Sequence, residues 1–180
     1  MLRRLLASVR SGVVKTFRCT TQVYQMGHII SAVVFVGDAE PVAVAKFDAK
    51  LVDCLDGFSL VALDEHYVDT WADRLNIHGT VADNPIGNYR VVHHIANALS
   101  SGRPFAIIET EYHGGQGSQA AAVYHGATEL MAPVNAESDA INSALRDLGV
   151  VRSASLDEFD MFGLGHHRGW GDLFDDYWDG

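Results

Sequence analysis

The sequence predicts an α+β fold, a mainly antiparallel sheet with three helices in a single domain. Three observations lead there. β-branched apolar runs come in groups separated by short turn signals, as in hairpins. Two long stretches between and after these groups repeat their apolar residues at helical spacing. The 180 residues suffice for one domain with a real core, at 48% apolar and 20% charged composition.

The elements follow in order. "IISAVVFV" (29–36) is a buried strand, "GDAEP" turns it, and "VAVAKF" (42–47) returns as a second strand, so residues 29–47 read as a hairpin. "GFSLVAL" (57–63) is a third strand. Asp64 caps a helix that carries Val68, Trp71, Ala72 and Leu75 on one face. "HGTVADNPIG" is loop, and a second helix carries Val92, Ile95, Ala96 and Leu99 and stops at Gly102. "FAIIET", "QAAAVYH" and "TELMAP" are three further strands. The last helix is capped by Asn135, buries Ile141, Ala144, Leu145 and Leu148, and ends at Gly149. The order is β-β-β-α-α-β-β-β-α, which favours antiparallel pairing over βαβ units.

Charge divides the chain into three parts. Residues 1–18 hold Arg3, Arg4, Arg10, Lys15 and Arg18 and no acid, a charge of +5. The remaining 162 residues hold 8 basic and 23 acidic groups, a charge of −15. Residues 1–25 read as a basic arm or extension, 26–155 as the α+β domain, and 156–180 as an acidic aromatic segment packed on it. "MLRRLLASVR" sets Leu2, Leu5, Leu6 and Val9 at helical spacing opposite its arginines, the pattern of an organelle-targeting segment, a basic arm or a start extension. The acidic body argues against nucleic acid as a partner and for a basic protein surface. No apolar run reaches the length of a membrane helix. Cys19 and Cys54 are isolated and read as inert thiols of a reducing compartment, so the expected location is cytoplasmic.

"ETEYHGGQGSQAAAVYHG" (109–126) is the stretch richest in candidate chemistry. It lacks the lysine and the strand-to-helix setting of a phosphate loop, and no GxSxG elbow accompanies its HGGQG. Glu109, Glu111 and His113 share one face of a strand by parity, and His125 on the return strand could join them around a divalent metal. No other cofactor is expected. The three glycines read first as a shaped connection between strands and second as a recognition loop that displays Tyr112, His113 and Gln116. A catalytic loop comes third.

The tail "LDEFDMFGLGHHRGWGDLFDDYWDG" interleaves acids with Phe159, Phe162, Trp170, Phe174, Tyr177 and Trp178. Each large ring gains about 1.5–3 kcal/mol on burial against about 0–1 for a surface ion pair, so the rings dominate. They dock either on the protein's own core or on a partner, with Asp172, Asp175 and Asp176 setting the charge of that surface. His93 and His94, adjacent on a helix, diverge by about 100° and read as structural. His166 and His167 with Asp160 and Asp172 specify no metal spacing. Asp64 and Glu65, ahead of His66, suit the positive end of a helix. Two functions stay open: an acidic, non-enzymatic binding protein of the inhibitor or immunity type that covers a basic partner surface, or a small metal-assisted or acid–base enzyme built on Glu109, Glu111, His113 and His125.

Overall fold

The computed structural model describes residues 28–79, 84–113, 116–167 and 169. Six antiparallel strands form one sheet: β1 (His28–Val36), β2 (Leu51–Val52), β3 (Phe58–Ala62), β4 (Pro104–His113), β5 (Gln116–His125) and β6 (Thr128–Ala136), in the order β2-β3-β1-β4-β5-β6. Alternation along each strand sends residues to opposite faces, and both faces are covered. Val33, Phe35, Val61, Phe105, Ile107 and Ala122 meet α1 (Pro41–Phe47), α2 (Glu65–Leu75) and α3 (Tyr89–Ser100) on one face. Ile30, Val34, Leu60, Ile108, Ala121 and Val123 meet α4 (Ala140–Asp147), α5 (Glu158–Phe162) and a 3-10 turn at Leu164–His166 on the other. This two-sided burial explains why β1 and β4 read as near-continuous apolar runs rather than alternating ones.

The mixed α+β class and the antiparallel sheet are as the sequence predicts; the helices number five rather than three among the described residues. The expected hairpin over 29–47 is corrected, because "PVAVAKF" is α1. Pro41 sits in its first turn, where a fixed φ and a missing N–H cost nothing, and Ala43 and Phe47, four apart, are buried while Val42 faces solvent. The strand partner of β3 on that side is instead the two-residue β2. Asn135 does not cap the last helix: it lies in β6 opposite Ala120, and Asp139 precedes α4. The expected stripe Ile141, Ala144, Leu145 and Leu148 is buried, and Gly149 stops the helix at φ 96°.

Asp64 caps α2 through Oδ1, which accepts the Tyr67 N–H at 2.6 Å. Asp157 does the same for α5, accepting the Asp160 N–H at 2.9 Å. α5 places Phe162 against Phe58, ring centroids 5.7 Å apart, so the first part of the C-terminal segment belongs to the core. Arg146 of α4 donates to the buried Glu158 carboxylate at 2.8 Å, and that hydrogen bond holds the Glu158 pKa below its ordinary value. The start of β1 and the 3-10 turn meet: the His28 ring lies 5.4 Å from Phe159, and its Nε2 is 3.4 Å from the Leu164 carbonyl.

Candidate functional site

On the α1–α3 face, the end of the β1–β4–β5 ladder that holds Ser31, Glu109 and Glu111 lies beyond the buried core residues. There the strand register sets two polar rows side by side. Ser31, Glu109, Ala120 and Asn135 form one, and Ile29, Glu111 and Ser118 the other. The residues that flank the two glutamates across the sheet are mostly small, which leaves space above the sheet. The N-terminal turn of α2 (Asp64, Glu65, Val68) and the segment Pro85–Asn88 wall that space, with the buried Leu63 and Val92 at its floor. The result is an open cleft of about 370 Å³, within the size range of small-ligand sites.

Its electrostatics are one-sided. Asp64, Glu65, Glu109 and Glu111 line it, and no Lys, Arg or His does among the described residues. Asp64 is occupied as a helix cap, and Glu65 and Glu111 reach solvent. Glu109 is different. It is half-buried, and among the described residues its carboxylate accepts from the Ser31 hydroxyl and the Gly87 N–H, each at 3.5 Å, the outer limit of hydrogen bonding. Burial pushes its pKa above the ordinary carboxyl value, and these two contacts oppose the shift only partly. A desolvated, weakly partnered carboxyl in a cleft is a candidate functional group.

Of the residues singled out in the sequence, Glu109 and Glu111 line the cleft. His113 lies beside Glu111, Nε2 to Oε1 3.8 Å, but both side chains are mostly exposed. His125 does not join them. It pairs with Pro104, at the opposite end of the β4–β5 ladder from the pairing of His113 with Gln116. The ten-residue length of β5, at about 3.3 Å per residue, separates the two histidines by about 30 Å. Among the described residues no three His, Cys, Asp or Glu side chains converge as metal ligands.

The glycine stretch is a hairpin connection: β4 and β5 remain paired up to His113 and Gln116. Gly117 lies within β5, where a Cβ would fall 1.9 Å from the Glu111 carbonyl oxygen, so close backbone approach accounts for that glycine. Tyr112 is tied back by a hydrogen bond from its hydroxyl to the Glu137 carbonyl, and Gln116 is exposed at the strand start. Trp170, Asp172, Phe174, Asp175, Asp176, Tyr177 and Trp178 lie outside the described residues.

His93 packs edge-on against Tyr124 and Phe105, and burial lowers its pKa, as suits a neutral structural histidine. Burial pushes the Cys54 thiol up to about 11, which makes it an inert thiol at neutral pH. Sequence reasoning missed Ser31, Ser118, Asn135, Gly87 and Asn88 as cleft residues. Cross-strand register places Ser31, Ser118 and Asn135, and packing of the segment before α3 places Gly87 and Asn88; a single sequence displays neither. No protein-family model matches this chain, and no curated protein or solved structure does.

Proposed function

We propose that the protein is an acidic binding module of the inhibitor or immunity type, which covers a basic surface of a protein partner and takes a lysine or arginine side chain of that partner into the cleft. The observation that carries this reading is Glu109, a half-buried carboxyl in the cleft with no cationic partner among the described residues. A guanidinium or ammonium head would supply the missing countercharge, and its stem would lie along the part-exposed Ile29 and Pro85. Electrostatic attraction to the −15 body would speed encounter and make it salt-dependent.

Calorimetric titration with a short lysine- and arginine-rich peptide tests it. Replacing Glu109 and Glu111 together by Gln should weaken binding by about tenfold or more, since hydrogen bonds to charged groups contribute about 1.5–3 kcal/mol. Replacing Asp172, Asp175 and Asp176 by Asn should leave a cleft-dependent component intact. Equal affinity for wild type and the Glu109/Glu111 double variant would sink the proposal.

A second reading has one observation in its favour. The raised pKa of Glu109 would suit a general acid or base acting on a small molecule in the cleft, with Ser31 and the Gly87 N–H orienting its carboxyl. It requires turnover that Glu109→Gln abolishes and Glu111→Gln spares.

A further inference from the structure

A second cavity, of about 250 Å³, lies against another face of α2 and shares only Asp64 with the cleft around Glu109. His66, Thr70 and Arg74 are four apart and so form one row along that helix, and Tyr67 and Trp71 form the adjacent row. The connection from α1 to β2, with Asp48 and Lys50, makes the opposite wall. Its chemistry differs from that of the cleft. The body outside residues 1–18 carries 8 basic groups. Two of them, Lys50 and Arg74, line this cavity together with His66.

The aromatic side of the cavity is held in place. The Phe47 carbonyl accepts both the Tyr67 hydroxyl, at 2.9 Å, and the Trp71 indole N–H, at 3.1 Å. The Phe47 ring meets Trp71 edge-on, with centroids 5.0 Å apart. These contacts fix the two rings one turn apart, and both remain partly exposed. Arg74 sets its guanidinium carbon 4.9 Å from the centroid of the Trp71 ring, a cation–π contact. Neither Arg74 nor His66 has a carboxylate partner among the described residues. A guanidinium fork is thereby positioned at an indole, with its N–H donors unclaimed by any described acid.

We propose that this cavity binds a small aromatic monocarboxylate, its ring against Trp71 and Tyr67 and its carboxylate on the Arg74 guanidinium and the Thr70 hydroxyl. The charges favour one negative charge over two. Lys50 and Arg74 are balanced by Asp48 and Asp64, and His66 adds a positive charge only when protonated. Asp64 is occupied as the cap of α2, and Asp48 is exposed in the left-handed turn that ends α1. A phosphate dianion would meet those two acids without enough cations to offset them. A single carboxylate matches a single guanidinium fork. At about 250 Å³ the cavity falls below the range of about 300–1,000 Å³ for larger ligands, and so suits one ring with a short acidic group. This site is separate from the cation site proposed above, and either can fail without the other.

Titration of the full chain with benzoate, followed by the indole N–H resonance of Trp71, tests it. Trp71→Phe assigns that resonance apart from those of Trp170 and Trp178. A saturable shift is expected, with a dissociation constant of about 1–10 mM, the affinity that so small a ligand reaches. Benzamide keeps the ring without the charge and should bind about tenfold more weakly. Phenyl phosphate should bind no more tightly than benzoate. Arg74→Gln should weaken benzoate by about tenfold or more, because it removes a hydrogen bond to a charged group. Arg90→Gln, at a likewise exposed arginine of α3 outside the cavity, should leave binding unchanged.

A Trp71 resonance that stays fixed as benzoate is added overturns the proposal, and so does equal affinity in the Arg74→Gln variant. Equal binding of benzamide overturns it too, since the carboxylate would then contribute nothing. Tighter binding of phenyl phosphate overturns the assignment of a single negative charge. Arg74 is exposed, so Arg74→Gln should keep the circular dichroism spectrum of the wild type. The comparison of benzoate with benzamide, made on the wild type alone, reads the same carboxylate contact without any substitution.

Discussion

Phe162→Ala tests whether residues 158–166 are part of the fold. Phe162 is 2% exposed and packs edge-to-face on Phe58 at 5.7 Å, within a layer that includes Leu164, Ile141 and Leu145. Removing the phenyl group exposes or empties about 150 Å² of apolar contact, which at about 25 cal/mol per Å² amounts to about 4 kcal/mol. Observed Phe→Ala losses in cores run about 3–5 kcal/mol, because the cavity collapses only partly. For a protein of this size each kcal/mol lowers Tm by about 2–4 °C, so the expected fall is about 8–16 °C. Urea unfolding followed by circular dichroism measures it, with the m-value unchanged. Phe159→Ala serves as an internal comparison and should cost less, because Phe159 is only half-buried. A loss below about 1 kcal/mol for Phe162 would mean that α5 does not cover this sheet face, and the tail's first aromatics would return to the pool of partner-binding residues.

Glu109→Gln should stabilise the fold at neutral pH. Burial raises the Glu109 pKa, so the ionised form opposes folding above that pKa, and the opposition disappears as the pH falls below the ordinary carboxyl range. Thermal melts at neutral pH should show a higher Tm for the variant, and melts in acid should show no gain; a gain independent of pH would contradict the burial argument. Gly117→Ala should destabilise by about 1–3 kcal/mol or more, the cost of overpacking, because its Cβ would meet the Glu111 carbonyl at 1.9 Å. Wild-type stability in that variant would show that the β4–β5 ladder does not close as tightly as described. Cys54, with a pKa of about 11, should be alkylated by iodoacetamide near pH 8 about a hundredfold more slowly than a free thiol. Peptide mapping of the labelled chain reads this residue apart from Cys19, and free-thiol reactivity there would contradict its burial.

The elements most legible in the sequence are those whose signals are local. α2 has a cap and a repeating stripe, α3 a stripe and a glycine stop, and β4–β6 have β-branched or small apolar runs broken by turns. α1 misleads because Val42 and Val44 favour strands by propensity. The winning signals were Pro41 in the first turn and the four-residue spacing of Ala43 and Phe47. α5 carried its own marks, Asp157 as cap and Gly163 as stop. They are hard to weigh in a segment so rich in acids and aromatics. Strand parity correctly put Glu109 and Glu111 on one face. It could not exclude His125, because the length of the paired ladder, and not parity, decides which end of the sheet a residue occupies. Nor does a sequence show that Ser31, Ala120 and Ser118 sit beside those glutamates, or that their small size leaves the cleft open. The place of Ser31 depends on the β1–β4 register, between segments 78 residues apart, whereas Ala120 and Ser118 follow from the register of the β4–β5 hairpin.

The proposed function requires that the cleft around Glu109 receive a cationic side chain. The most direct measurement follows the Glu109 and Glu111 carboxyl resonances while a lysine- and arginine-rich peptide is added at low and then at high salt. Saturable shifts of both, larger at Glu109 and reversed by salt, are expected. Carboxyl resonances of Glu109 that stay fixed while those of the C-terminal aspartates move would contradict it.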